Sequence, residues 1–315
     1  MNLANKVLVL GAMVAAIAVF LVFFSPIRAL AETIVSGTVT GNQDWVVENS
    51  PYIISGEVTI NPGWEIRIFP GVVVKFEDEN SILIFNNAEL EAIGTEDEKI
   101  YFTSIKDDTV GGDTNGDSNT TSPTSGDWKG IWLPVSQFPS IWSNVVVRYA
   151  GADDHPTVFF DHALNQDITM QNVLVTHNLG TGIKQIQGHL NIESSEISNN
   201  GGDGLKTEDA SGFSTIIDVH HSVIFGNLSY GANAAQFSSF RAENNYWGNS
   251  TGPFNENLNP NGLGDAVTDN ILFNPWCMDE LCAPPPEECA ENCFSNVLFL
   301  PGIKGSNLKM EGDEL

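Results

Sequence analysis

The sequence predicts an all-β solenoid, and three observations carry that prediction. Asn178, Asn200, Asn227 and Asn249 fall 22, 27 and 22 residues apart, each shortly after an apolar strand. Apolar pairs recur ahead of them, Ile168 with Met170, Leu190 with Ile192 and Ile217 with Val219, and one more apolar residue sits three positions before each asparagine: Val175, Ile197, Ile224 and Tyr246. A glycine turn then leads back inward at Gly182–Ile183, Gly204–Leu205 and Gly231–Ala232. A coil of about 22 residues built from period-two strands cannot bury its apolar face alone, so successive coils must stack. Asparagine suits the bend because it tolerates the left-handed conformation and can hydrogen-bond the next asparagine in a ladder.

This pattern resembles the right-handed parallel β-helix of the pectate-lyase type. The run 243–276, with Asn245-Tyr246-Trp247-Gly248 and the final Pro275-Trp276, resembles the closing segment of secreted β-helix repeat proteins. The runs 56–76, 100–104 and 126–132 are similar to their opening coils. The resemblance covers residues 32–276 and implies the fold; it leaves the activity open, because one fold carries many functions. At about 25 residues per coil and about 4.8 Å per strand spacing, that span makes some ten coils and a rod of about 45 Å.

Residues 1–31 read as a secretory signal: Lys6, then an apolar run from Val7 to Phe24, then Ala29-Leu30-Ala31 before Glu32. A retained anchor is the alternative, since a run of that length suffices to span a bilayer. Either reading puts the rest of the chain outside the cytoplasm, secreted or at the cell surface. After cleavage no stable membrane span is expected, and the solenoid is expected to be monomeric. Lys and Arg number 13 against 40 Asp and Glu, a net charge of −27. Such a surface repels nucleic acid and anionic membrane, and calcium is the natural exception among partners.

From Glu32 to Phe76 short β-branched and aromatic runs alternate with Gly, Asn and Pro, the signature of strands and turns. Residues 32–50 are expected to cap the first coil, because an open parallel edge invites further pairing. The polar insertion 106–128 is too long for a coil and is expected to project from one corner. Within it Asp113, Asn115, Asp117 and Asn119 offer oxygen ligands at every second residue around Gly116, as calcium loops do, with Asp107 and Asp108 adding charge. The match to the twelve-residue helix-loop-helix motif fails at Ser118 and Thr124, and a merely solvated acidic loop is the alternative.

Asp153, Asp154, His155, Asp161 and His162 form a second polar group that can ligate a transition metal or supply a base, although turns are rich in Asp for backbone reasons alone. Asp218, His220 and His221 form a third, with the two histidines on opposite faces of one strand and one of them expected in the stack. A lyase would need an Arg or Lys base; Arg148, Lys184, Lys206 and Arg241 are the strong bases between 140 and 276, and none lies in a recognisable lyase motif. A glycoside hydrolase would need two carboxylates about 5 to 9 Å apart, and no pair stands out among so many acids.

After Trp276 the composition becomes that of a linker. Residues 277–294 hold Cys277, Cys282, Cys289 and Cys293 with three consecutive prolines. Outside the cell four cysteines mean two disulfides in one of three connectivities, of which Cys277–Cys282 with Cys289–Cys293 is favoured. Residues 295–315 read as a strand, Val297–Leu300, and a glycine loop. The segment Pro301-Gly302-Ile303-Lys304-Gly305-Ser306 resembles the early strand and oxyanion loop of α/β-hydrolases, especially lipases and lecithin-cholesterol acyltransferase relatives. That resemblance implies oxyanion donors at Ile303 or Lys304 in a truncated α/β-hydrolase domain; a coincidental strand and turn is the alternative. No nucleophile elbow follows. The expectation is therefore a β-helix, non-catalytic by itself, that contacts polysaccharide or cell-surface glycan at the amino end of a larger esterase or lipase. The alternatives are a lyase or glycoside hydrolase working on the solenoid, and a purely structural surface protein.

Overall fold

The computed structural model describes residues 32–135, 137–161, 167–209 and 215–281. They form a parallel β-helix, with strands and two 3-10 turns, Val47–Asn49 and Ala152–Asp154, and no α-helix among the described residues. The strands of both large sheets pair parallel, each with its counterpart one coil away.

Each coil has three faces. The 14-stranded sheet contains two of them, joined by strands that turn a corner. Tyr52–Ile60 is the clearest case: Tyr52–Ile54 pair with Val74–Phe76, whereas Glu57–Ile60 pair with Ile82–Phe85. Gly56, at φ 68°, sits at that corner, a conformation that costs glycine little and other residues more. In later coils the same corner opens into loops. The third face is the nine-stranded sheet, running from Gln43–Trp45 to Ile271–Leu272.

Nine strands on that face make eight turns from first to last, fewer than the ten expected from length. The shortfall is sequence spent outside the coils. The register jumps from Phe102 straight to Val147, so residues 105–129 add a loop rather than a coil. Residues 32–50 also differ from expectation. Thr33–Val39 and Gln43–Trp45 are not a separate cap; they pair parallel with Tyr52–Ile60, with a register shift after Ser36, and with Glu65–Ile68, as the first coil.

The interior is a set of columns that follow the register. Val147, Val175, Ile197 and Ile224 stack on the first face, all fully buried, as the repeat predicted. Ile131, Val158, Ile183, Leu205 and Ala232 make the second column. Ile168, Leu190, Ile217, Phe240 and Ile271 make the third. Because each side chain rests on a similar one above and below, shortening one leaves a void that its neighbours are held too regularly to fill.

The asparagine ladder exists and differs in its last rung. Asn178 Nδ2 donates to Asn200 Oδ1 at 2.8 Å, and Asn200 Nδ2 donates to Asn227 Oδ1 at 2.9 Å, all three residues buried. Asn227 Nδ2 then donates to Asp265 Oδ2 at 3.0 Å. Asn249 stays outside, accepting the Thr251 amide at 3.0 Å and the Thr251 hydroxyl at 2.9 Å. The left-handed position is the residue before each rung, His177, Asn199 and Gly226, rather than the rung itself. Glycine is needed beside the ladder: a Cβ on Gly182 or Gly204 would come 2.8 Å from Gly204 O or 2.7 Å from Gly231 O.

Candidate functional site

The insertion after Ile100–Ser104 does not project. It folds back over the outer side of the first face, and the residues that hold it there are charged. Lys75 points outward from Val73–Phe76 yet is fully buried; its Nζ donates to Gly112 O at 2.6 Å and to Thr114 Oγ1 at 3.0 Å. Burial pulls the Lys75 ammonium below its ordinary pKa, while Asp107, Asp108 and Asp113 act in the opposite sense.

Two carboxylates staple the ends of the loop. Asp107, fully buried, accepts from Thr103 Oγ1 at 2.5 Å, Thr109 Oγ1 at 2.6 Å and Arg148 Nε at 2.8 Å. Burial alone would raise its pKa; the two hydroxyls and the Arg148 guanidinium outweigh that and hold it below the ordinary carboxylate value. Asp127 accepts from Ser104 Oγ at 2.7 Å, Lys106 Nζ at 2.8 Å and the Thr124 amide at 3.0 Å, and is likewise lowered against the effect of its burial. The physical reason for the fold-back is this pairing. An insertion carrying Asp107 and Asp127 meets hydroxyls and an arginine presented by the strands beneath.

Inside the loop the sequence-predicted calcium set is only partly assembled. One carboxylate oxygen from each of Asp108, Asp113 and Asp117 lies within 4.8 Å of the others. Asn115 turns its amide nitrogen toward the cluster, donating to Asp117 Oδ2 at 3.0 Å, so it offers a donor there rather than a ligand oxygen. Asn119 adopts the left-handed conformation, at φ 61°. Asp113 accepts the amides of Asp117 at 3.1 Å and Ser118 at 2.9 Å, and Asp117 accepts those of Thr120 and Thr121, both at 2.9 Å. The Thr121 hydroxyl is the largest of the influences that lower the Asp117 pKa. Asp108 Oδ1 is buried with no hydrogen-bond partner. Three carboxylates so placed suit a hard cation. Asp108 joins Asp113 and Asp117 from across Gly111 and Gly112, both at positive φ, a proximity that alternation along the sequence cannot reveal.

Among the described residues, neither histidine-containing group is brought together as a metal site. His155 Nδ1 lies 2.7 Å from Pro156 O, and burial lowers its pKa. Asp153 pairs instead with Lys129 at 3.2 Å. His162 lies outside the described residues. In the third group Asp218 is joined by His189, which no motif in the sequence marks: its Nε2 lies 2.9 Å from Asp218 Oδ2 and its Nδ1 3.1 Å from Asp167 Oδ1. Arg241 Nε donates to Asp218 Oδ1 at 2.5 Å. Burial would raise the Asp218 pKa, but Arg241 and then His189 bring it below the ordinary value. Neither His220 nor His221 enters the core stack. Their Nδ1 atoms lie 2.9 Å from Glu243 O and 2.7 Å from Glu193 Oε1, and His221 is the left-handed turn residue after the strand has ended.

All four strong bases of the second half are committed. Arg148 pairs with Asp107, and Arg241 with Asp218. Lys184 pairs with Glu208 at 2.9 Å and lies 5.0 Å over the Phe159 ring. Lys206 stands 3.9 Å from Asp203 and 3.8 Å from Glu208. Cys277 donates its backbone N–H to Asn245 O at 2.9 Å. Cys282, Cys289, Cys293, Ile303 and Lys304 lie outside the described residues, as does the stretch 1–31. Compared with known proteins, the chain matches no family model, no curated protein and no solved structure.

Proposed function

We propose that this chain is an extracellular solenoid module, non-catalytic by itself, that contacts glycans and leads into an esterase- or lipase-like segment. The observation that carries the reading is the pairing of Arg148, Lys184, Lys206 and Arg241, each against a carboxylate. Abstraction of a proton beside a uronate carboxylate needs a base held free to take it. An arginine locked onto a buried aspartate, as Arg148 is onto Asp107, is a structural cation. A polyuronate would in addition approach a chain of net charge −27. The export signal in 1–31, the pairing of Cys277 with Cys282 and of Cys289 with Cys293, and oxyanion donors at Ile303 or Lys304 complete the proposal.

Purified protein is expected to release no unsaturated uronides from pectate with calcium added, and to hydrolyse no short-chain nitrophenyl ester above background. Turnover on pectate that vanishes in Arg148→Ala or Arg241→Ala would overturn the reading in favour of a lyase. A calcium ion held by Asp108, Asp113 and Asp117 belongs to the same proposal, with stabilisation growing as RT ln(1 + [L]/Kd). The melting temperature should then rise with calcium in the wild type and stay flat in Asp108→Asn/Asp117→Asn. Superimposable wild-type melts in calcium and in chelator would remove the ion from the proposal.

A further inference from the structure

At its closing end the solenoid carries a cleft that none of the sites above uses. The chain leaves the last coil at Trp247, runs through a loop, and returns along Gly264–Ala266, which pairs parallel with Pro253–Phe254. Between this loop and the corner at Ser229–Tyr230 lies an open cleft of about 490 Å³. That size falls within the usual range of small-ligand sites, ~300–1,000 Å³.

Its walls combine two kinds of surface. Tyr230 and Phe254, 37% and 43% exposed as residues, line it with aromatic side chains. Glu256, Asn257, Thr268 and Asp269 supply the polar part. The frame beneath is held tightly. Asn255, 2% exposed, accepts the amides of Asn257 at 3.1 Å and Leu258 at 2.7 Å on Oδ1, and its Nδ2 donates to Val267 O at 3.0 Å and Asp269 Oδ1 at 3.2 Å. Asn257 Nδ2 donates to Asp269 Oδ2 at 2.8 Å. The corner is tied to the same loop through Gly231 N, which donates to Ala266 O at 2.8 Å. The loop is thus ordered before any ligand arrives, so the entropy cost of shaping the cleft is already met.

The charge of the cleft restricts its occupant. Glu256 and Asp269 are both carboxylates, and the chain around them is strongly acidic, so an anionic ligand is repelled. Exposed aromatic rings take the apolar C–H face of a ring-shaped ligand, while carboxylate and amide oxygens accept from hydroxyl groups. A ligand with both an apolar ring face and many hydroxyl donors answers both surfaces.

We propose that this cleft, walled by Tyr230 and Phe254 and floored by Glu256, Asn257 and Asp269, binds a neutral sugar residue of a polysaccharide. This rests on the glycan-contacting reading and names where, and with what charge, the contact is made. Titration calorimetry of the purified full chain against neutral β-linked and α-linked hexose oligosaccharides, with oligogalacturonate in parallel, tests it. At least one neutral oligosaccharide should bind, oligogalacturonate should not, and Phe254→Ala and Tyr230→Ala should each weaken binding about tenfold or more, as loss of an aromatic anchor does. Both side chains are exposed, so both variants should keep the wild-type melt. Neutral-sugar binding unchanged in both variants would overturn the cleft while leaving the glycan reading standing. Preference for oligogalacturonate would overturn the neutral-ligand assignment. A wild type that binds no member of the panel would overturn the cleft and the glycan reading together.

Discussion

Two ion pairs on the outside of the solenoid differ in a way that explains its energetics. Asp44–Arg67 lies on the third face with both side chains nearly half exposed, 49% and 45%. Asp107–Arg148 lies on the first face beneath the insertion, with Asp107 at 0% and Arg148 at 21%. Solvent screens the first pair and competes for both partners, so its contribution is small. In the second pair Thr103 from the strand and Thr109 from the loop complete the carboxylate's hydrogen bonds away from solvent, so removing either partner strands a charge. The same chemistry is ornament on one face and a fastening on the other.

The sharpest break of this comparison is Asp107→Ala. It removes the carboxylate partner of Arg148 and the acceptor of the Thr103 and Thr109 hydroxyls, and is expected to cost about 3–5 kcal/mol in a chemical-denaturation measurement. Arg67→Ala, at the exposed pair, should leave the midpoint unchanged; equal losses in the two variants would erase the distinction. Next in size is the ladder. Asn200→Ala removes a buried rung bonded on both sides and is expected to cost about 1–3 kcal/mol. Asn249→Ala, outside the ladder, should fall within error in the same experiment.

Smaller, and resolved by pH, is the contrast between Asp107 and Asp265. Asp107 is held below its ordinary value, so its native state binds fewer protons than the unfolded chain. Its stabilisation is full above the unfolded value near 3.8 and is lost as pH falls through the lower folded value. Asp265 is shifted the other way, since burial outweighs the Asn227 and Gly226 donors. Its effect on stability is most favourable below the unfolded value and is lost as pH rises through the raised folded one. Asp107→Asn should therefore flatten the acid side of the stability profile, whereas Asp265→Asn should flatten the decline toward neutral pH at a lower overall stability, since one amide oxygen cannot accept from both Gly226 and Asn227. Parallel profiles for the two variants would contradict this assignment.

What the sequence made legible was whatever repeats. Val175, Ile197 and Ile224 declared their column because a solenoid converts sequence period into spatial stacking, and the buried rungs Asn178, Asn200 and Asn227 followed by the same logic. The parts that escaped depend on contacts between dissimilar segments. Asp265 completes the ladder from 38 residues beyond Asn227, and carries no periodic signal. His189 reaches Asp218 across 29 residues, from a position that reads as an ordinary exposed strand residue. The insertion was recognisable as an insertion, but its destination depended on Lys75 and Arg148, neither of which its own composition reveals.

The fold-back of the insertion also changes how the rod should respond to load. In a plain solenoid each coil grips only its neighbours, so a pull on either end peels coils away one after another. Here the loop is tied both to Lys75, on the coil of Val73–Phe76, and to Arg148, two coils further along, with Ile100–Ser104 between them. The three coils are lashed together from outside. Unravelling from either end should arrest at this clamp, and in a single-molecule pulling trace the clamped segment should yield last, in one larger step.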